Sequence, residues 1–540
     1  MKEKLPASLQ FIVETLKPLK HTSPASIRKI VEQAGVKSED LQPWADLDHP
    51  VADSYGRKLI YDGGHFELMA MSWQPGDVSA IHDHGYTQWG AVQVFGPAEH
   101  ATFFMDGEVL HTWSRGVLKP HQVIGVSHDL IHQMGNTSGE PFFTLHVYGL
   151  DHEVKSVTGD ARVFDLLENK IQRVDGGVFF DLPISEIKQV EEGPRGDFPT
   201  RLRHLVELAR RLQKKAAAGI EGSTEKLEKV AAQIFSSAEQ QKFFYFLHEI
   251  IDDENHQMDS APWGIINWEL REAARFQDQW LKDHRGEDPF HQYAEWYDAL
   301  IGQPCLDSFM ASYLRFFQEH YSLSLSRQQI LSLGTGTGLV EAFMIKELDV
   351  PYKQLLGTDV SEAMLEVARR RIQAKKANVL ELTADFGSWD LVFSGLNVFH
   401  YLDHNRLEEA IQRTATVVRP GGYFLGDFIT PDHIRWYPNL MHSSDNQIVS
   451  LRNPVLVEEA GHVFQESEIT NIRFHNGQMR ISYAGKHRRF LPPMHRVRLY
   501  FEKAFGGRVD LYDAVTLAPI PESADSCVST RYIVVAQRAL

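Results

Sequence analysis

The sequence predicts a multidomain protein: an all-β barrel with N-terminal helices, a helical connector, and then an α/β domain built on a parallel sheet. Three observations carry this. From about Tyr55 to Tyr148, short strand-like runs are broken by turns such as Asp62-Gly63-Gly64, Pro75-Gly76-Asp77 and Asp106-Gly107, as an antiparallel sheet requires. From about Pro199 to Asp253 the pattern turns charged, Leu-rich and helical in period, with a break at Ala218–Ser223. From about Ala261 onward, strands and helices alternate. The boundaries follow as 1–190, 191–260 and 261–540.

Apolar residues recur at helical spacing from Ser8 to Gly35, giving the helical preface. The stretch from Gly193 to Ser223 reads as partly mobile. With 540 residues, 43% hydrophobic, the chain has enough apolar material for two or three ordinary cores. Its 72 acidic against 55 basic residues give a net charge of −17, which opposes attraction to phosphate backbones or anionic lipid. Nucleic acid and membrane are therefore not expected partners. Cys305 and Cys527 are too few for a disulfide framework or a cysteine zinc site. No signal peptide or spanning segment is visible, and a cytoplasmic location is expected.

The first chemical constellation is Ser79-Ala80-Ile81-His82-Asp83-His84. If this is a strand, its period of two turns both imidazoles to one face and Asp83 away. The residues where a carboxylate ligand would follow are Gln88 and Trp89, so His132 is the better third ligand. Three neutral imidazoles leave a divalent metal its full charge and open positions, which suits a substrate bringing its own thiolate. His100, His111, His121 and His128 read as surface or hydrogen-bonded core histidines.

Gly76, His82, His84 and Gly96, with His132 and Asn136 later, keep the spacing of the two cupin motifs. Together with Tyr55-Gly56-Arg57-Lys58-Leu59, Phe66-Glu67-Leu68-Met69, Trp73 and Leu145-His146-Val147-Tyr148, they resemble cysteine dioxygenase over about Pro43 to Leu150. The resemblance implies a cupin barrel holding Fe(II) on His82, His84 and His132. It also implies a hydroxyl–imidazole–phenol row at Thr144, His146 and Tyr148, and binding of the substrate carboxylate by Arg57 with Tyr55. Residues spaced by two on a strand share a face, so such a row is feasible. Trp89 aligns with the cysteine that some members crosslink to the active-site tyrosine, so Tyr148 acts unmodified and the indole is expected to reshape the pocket.

The second constellation is Ile330-Leu331-Ser332-Leu333-Gly334-Thr335-Gly336-Thr337-Gly338, an apolar strand entering a glycine-rich turn and then a helical run. Alone it fits several nucleotide-binding folds. Leu355-Leu356-Gly357-Thr358-Asp359 then ends a second strand with an acid placed for ribose hydroxyls. With Ala384-Asp385-Phe386, Asp390–Ser394 and Arg419-Pro420-Gly421-Gly422, the order resembles a class I S-adenosylmethionine-dependent methyltransferase, with its Rossmann-like fold, over about Tyr293 to Gln537. That resemblance implies that Gly334, Gly336 and Gly338 pass the methionine portion, Asp359 holds the ribose, Asp385 and Phe386 contact adenine, and Ser394–Asn397 line the cleft. Ser332 stands where the family commonly has an acid. For the acceptor, His400 and Tyr401 are candidates. Trp436, Tyr437, His487, Arg488 and Arg489 read as packed aromatics and a solvated basic turn, with an anion site as the alternative.

The expected protein is a bifunctional enzyme, oxidising the sulfur of cysteine or a related small thiol with dioxygen and methylating a small molecule. The competing reading is a methyltransferase regulated by a metal- or thiol-sensing cupin, which has less need of Arg57 and the Thr144–His146–Tyr148 row.

Overall fold

The apolar spacing near the N-terminus folds as two helices, α1 (Ala7–Leu16) and α2 (Pro24–Ala34). The Ser23 side chain accepts from the Ser26 amide, Pro24 occupies the first turn, and Gly35 closes α2 at φ 61°, so start and stop are both encoded locally. The structure is a computed structural model that describes the chain except residues 1–4, 20, 153–155, 235, 237, 239–240, 242, 244, 246, 248–259, 281–287, 289, 292–293, 446 and 476–477. It divides into Met1–Phe243 with Trp268–Ala273, and Phe244–Asn267 with Ala274–Leu540.

The first unit contains β1 (Gly56–Asp62), β2 (Phe66–Trp73), β3 (Trp89–Val94), β4 (Glu99–Asp106), β5 (Val109–Val117), β6 (Val123–Ser127), β7 (Ile131–Gly135), β8 (Phe142–Gly149), β9 (Ala161–Asp165), β10 (Lys170–Val174), β11 (Ile187–Glu192) and β12 (Arg195–Gly196). An antiparallel sheet runs β1-β2-β8-β3-β6, a second sheet β12-β5-β4-β7, and a third β11-β10-β9. Strand β8 is buried on both faces. Phe143, Leu145 and Val147 pack with Leu9, Ile12, Leu16, Ile27 and Val31 of the helices, and the alternation sends Thr144, His146 and Tyr148 to the opposite face. Contrary to expectation, Ser79–His84 is not a regular strand. It is an irregular segment in which two isolated antiparallel bridges join His82 to His132 and to Val163.

The segment expected to be partly mobile holds β12 and α3 (Phe198–Ala217), whose Asp197 cap accepts from the Thr200 amide at 3.0 Å. Its Leu202, Leu205, Val206 and Leu212 are buried. Several of its charged residues are buried as well: Arg203 donates to Glu207 and Glu99 at 2.6 Å each, and Arg115 donates to Glu99 at 2.9 Å and to Glu269 at 3.1 Å. Helix α4 (Ser223–Ile234) follows; much of 235–259 lies outside the described residues.

The second unit has a seven-stranded sheet. In chain order its strands are β13 (Ile330–Leu333), β14 (Leu355–Asp359), β15 (Gln373–Lys376), β16 (Trp389–Ser394), β17 (Val418–Ile429), and then, after an inserted sheet, β22 (Gly506–Asp513) and β23 (Arg531–Arg538). The spatial order is β15-β14-β13-β16-β17-β23-β22, parallel through β17 and antiparallel beyond. The inserted antiparallel sheet is β18 (Leu440–His442), β19 (Ile448–Glu459), β20 (His462–His475) and β21 (Gln478–Phe490). Alternate residues of β23 face opposite cores: Tyr532, Val534 and Ala536 meet the Leu407–Val417 and Met494–Phe505 helices, while Ile533 and Val535 meet the Ala311–His320 and Leu339–Glu347 helices. The chain order reverses between β13 and β16, which opens a crevice at the carboxyl ends of those strands. Among the described residues, no helix is long and apolar enough to cross a membrane.

Candidate functional sites

In the first unit, His82, His84 and His132 come together with ligand atoms all within 4.8 Å of one another, and all three are buried. Burial, together with the neighbouring imidazoles for His84 and His132, pushes the three well down; His82 falls to about 4. At neutral pH each therefore offers a lone pair. His82 Nδ1 bonds the Ala80 carbonyl at 2.8 Å, and His132 Nδ1 meets His100 Nε2 at 3.0 Å. When both Nδ1 atoms donate outward, the two Nε2 lone pairs converge at 3.1 Å. Such convergence is relieved by a shared cation. Both nitrogens of buried His84 lack a hydrogen-bond partner among the described residues. The donor set therefore fits a metal. Asp83 turns away and pairs with Arg162.

Beside the triad, Thr144 Oγ1 lies 2.7 Å from His146 Nε2, and His146 Nδ1 lies 2.8 Å from the Tyr148 hydroxyl. Trp73 Nε1 donates to Thr144 Oγ1 at 2.9 Å, a contact sequence reasoning did not find. That indole can only donate, so the Thr144 proton is left for His146 Nε2, His146 Nδ1–H points to Tyr148, and the Tyr148 proton is free for the cavity. Burial pushes the Tyr148 phenol far up, which keeps it protonated, and pushes His146 down to about 3, which keeps it neutral.

The same cavity is lined by Tyr55, Arg57 and Thr158. Arg57 donates to Thr158 Oγ1 at 3.0 Å, and Tyr55 stacks on Trp73 at 4.6 Å. Among the described residues no carboxylate lies within ion-pair distance of Arg57. Trp89 does not reshape this cavity as expected: it packs into the helix-side core with Phe66 and Val147 and bonds Asp151. The strand alternation places Gly90 against Tyr148 instead, where an added Cβ would sit 2.7 Å from the ring.

The second unit has a cavity of ≈ 650 Å³ lined by Gly334, Thr335, Gly336, Thr337, Asp359, Leu396, Asn397 and others. Gly334 is left-handed at φ 67°, and a Cβ there would meet Val398 at 2.4 Å; only glycine fits. The Gly336 amide donates to Asp359 Oδ2 and the Ser361 amide to Oδ1, both at 2.9 Å, so the acid is fixed beside the turn. Leu396 and Asn397 are also left-handed, at φ 57° and 62°, and Arg531 holds Asn397 Oδ1 at 2.8 Å. Gly338 begins the next helix without lining the cavity, and Ser394 turns to the Leu333 carbonyl.

Asp385 and Phe386 are not among the lining residues; 377–380 line that side, while the Phe386 ring packs under Lys375. Where the resemblance leads to an acid, Ser332 instead meets one from the following helix: Glu341 is buried at the cavity wall and accepts from Ser332 Oγ at 2.5 Å. Burial pushes its carboxyl up to about 7 against the opposing Ser332 bond. Glu341 and Thr335 Oγ1 both keep buried oxygens without a partner among the described residues. A serine in the expected acid position was the available signal for such a replacement.

His400 is not an acceptor residue. Its Nδ1 bonds the Phe490 carbonyl at 2.5 Å and its Nε2 accepts the Ile429 amide at 3.0 Å, so both nitrogens serve the backbone. Tyr401 does line the cavity. The expected basic turn is part of β21: His487 and Arg489 share the cavity face with Tyr437, Arg488 points away to Glu459 and Glu466, and Trp436 is exposed.

Residues 330–422 match the family model described as "Methyltransferase domain". Over 142 residues the chain is 33% identical to a demethylmenaquinone methyltransferase of Thermus thermophilus, covering 25% of this chain and 60% of that protein. It thus spans less than two thirds of that relative's length. Similar solved structures include an S-adenosylmethionine-dependent methyltransferase from Clostridium acetobutylicum, 14% identical, covering 46% of this chain and 99% of that one at a TM-score of 0.37. Another is the CcbJ methyltransferase of Streptomyces caelestis, 18% identical, covering 42% and 88% at 0.33. The family model thus places a methyltransferase-domain match within the second unit, at residues 330–422.

Proposed function

We propose that the chain is a bifunctional enzyme: an S-adenosylmethionine-dependent methyltransferase in the second unit and an Fe(II)-dependent thiol dioxygenase of the cupin type in the first. The cavity at the strand-order reversal, bearing a glycine turn, a fixed acid and buried oxygens without a partner among the described residues, supports the first assignment together with the matched methyltransferase model. Gly334 and Gly336 would admit the methionine portion, Asp359 the ribose, and Glu341 the amino group. S-adenosylmethionine supplies an electrophilic methyl group there. The protein contributes alignment of the acceptor with that methyl.

The dioxygenase reading rests on one observation above others: a buried three-histidine set beside a directed row ending in a Tyr148 hydroxyl. His82, His84 and His132 would hold Fe(II), which supplies the redox chemistry that joins thiol and dioxygen into a sulfinate. Arg57 would grip the substrate carboxylate. Tyr148 would donate its proton into the cavity, with Trp73, Thr144 and His146 fixing that direction. An oxygen electrode tests this on the full chain loaded with Fe(II), given cysteine and a panel of small thiols, with mass spectrometry of the product. Thiol-dependent uptake lost in His84→Ala is expected. No uptake with any thiol, while Fe(II) is retained, would favour a sensor.

A further inference from the structure

The cavity of the second unit is electrically divided. Its acids, Asp288, Glu341 and Asp359, are engaged by Ser361, Ser332 and the Gly336 turn respectively, all at the glycine-loop end. Three guanidiniums, Arg452, Arg489 and Arg531, line it as well. Arg531 is neutralised by Asp427. Arg489 is not: among the described residues no carboxylate lies within ion-pair distance of it. It donates to the Tyr401 hydroxyl at 2.9 Å, lies 5.1 Å over the Tyr401 ring and 5.5 Å from the Tyr437 ring, and its buried Nε has no partner among the described residues. The Tyr437 hydroxyl also accepts from Arg452 at 3.2 Å, so one phenol sits between two guanidiniums. Against the opposing effect of burial, these two cations pull the Tyr437 phenol below its ordinary pKa.

A half-buried guanidinium with a buried Nε and no carboxylate beside it is a place where a ligand can supply the counter-charge. We propose that the methyl acceptor is a small carboxylate, held through its carboxylate by Arg489 with Tyr401 and Tyr437 around it, so that its nucleophile faces the glycine loop. The planar fork of Arg489 suits two parallel bonds to a carboxylate, and the surrounding rings of Phe290, Tyr401 and Tyr437 suit a compact organic body. Such an acceptor's lone pair forms the new bond to the methyl carbon as the carbon–sulfur bond opens, the bonding pair stays on sulfur, and the acceptor's proton passes to solvent. The residues come from β21 and the 401 and 437 segments, which explains what the inserted sheet adds to the domain.

This inference rests on the methyltransferase reading of the same cavity, and the test separates the two. Full-length protein is first titrated calorimetrically with S-adenosylhomocysteine; no binding there counts against the cofactor reading. The protein, with and without that ligand, is then titrated with the protein amino acids and cysteine sulfinate, each beside its decarboxylated amine. At least one carboxylate is expected to bind saturably while its amine does not. Arg489→Gln should weaken that binding at least tenfold and leave S-adenosylhomocysteine affinity within about twofold, with partial recovery in Arg489→Lys. Melting temperatures confirm folding, and Lys serves if Gln fails to fold. Equal binding of amine and carboxylate, carboxylate binding untouched in the folded variants, or no carboxylate bound by any form of the protein, overturns the proposal.

Discussion

Replacing Glu341 by Gln should abolish the pH dependence of cofactor binding in the second unit. The carboxyl sits at the cavity wall with a pKa near 7, raised by burial against the Ser332 bond; Asp359 adds a like charge from the neighbouring strand end. The form that pairs with the cofactor's ammonium is the ionised one. Because the pKa is raised, that form is mostly present at pH 8 and mostly lost at pH 6, from about nine tenths to about one tenth. Affinity for S-adenosylhomocysteine should therefore fall about tenfold over this interval, about 1.4 kcal/mol, as pH falls. Pairing also lowers the carboxyl's pKa, so binding at pH 6 should release close to one proton, visible as a buffer-dependent calorimetric enthalpy. In Glu341→Gln, affinity at pH 8 should drop about tenfold, in line with loss of a charge-assisted hydrogen bond, and then stay flat. A flat profile in the native protein, or the same slope in the variant, would refute the assignment of Glu341 to the ammonium.

Three further outcomes are expected. Thr144→Val removes the hydroxyl that relays the Trp73 direction to His146, so thiol-dependent oxygen uptake should fall about 10- to 100-fold with unchanged iron content, while Thr144→Ser stays within a few-fold. His100→Leu strips the outer partner of His132 and should weaken Fe(II) affinity about 10- to 100-fold by chelator competition, with His100→Gln intermediate. Glu99→Ala leaves Arg203 and Arg115 short of a buried partner and should destabilise the first unit by about 3–5 kcal/mol, read as an earlier transition in urea followed by near-ultraviolet dichroism.

Much of the candidate chemistry was legible in local sequence because it depends on local periodicity. Thr144, His146 and Tyr148 face one way since a strand alternates, and Gly334 must be glycine since its backbone is left-handed against Val398. The same rule misled at residues 79–84, where an irregular segment and a bridge to His132, not a strand, place the imidazoles. It also misled at Trp89, where alignment by count put an indole where the sheet puts Gly90. The segment read as partly mobile holds α3, several of whose charges are buried; solvated and buried ion pairs look alike until their partners Glu99 and Glu269 are brought in from distant segments.

The sequence alone determined the kinds of groups available: three histidines with metal-compatible spacing, a hydroxyl–imidazole–phenol series, and a strand–glycine–helix turn with an acid after the next strand. Tertiary structure decided which of them meet and what each is worth. Only folding brought Trp73 to Thr144 and thereby set the direction of a proton row, carried Glu341 to the place left by Ser332, tied up both nitrogens of His400, and left Arg489 with no carboxylate in ion-pair distance among the described residues. These are long-range matters of desolvation and pairing. Two residues far apart in the chain share no local signal of their meeting, while the energy of a buried charge depends almost wholly on the partner it finds.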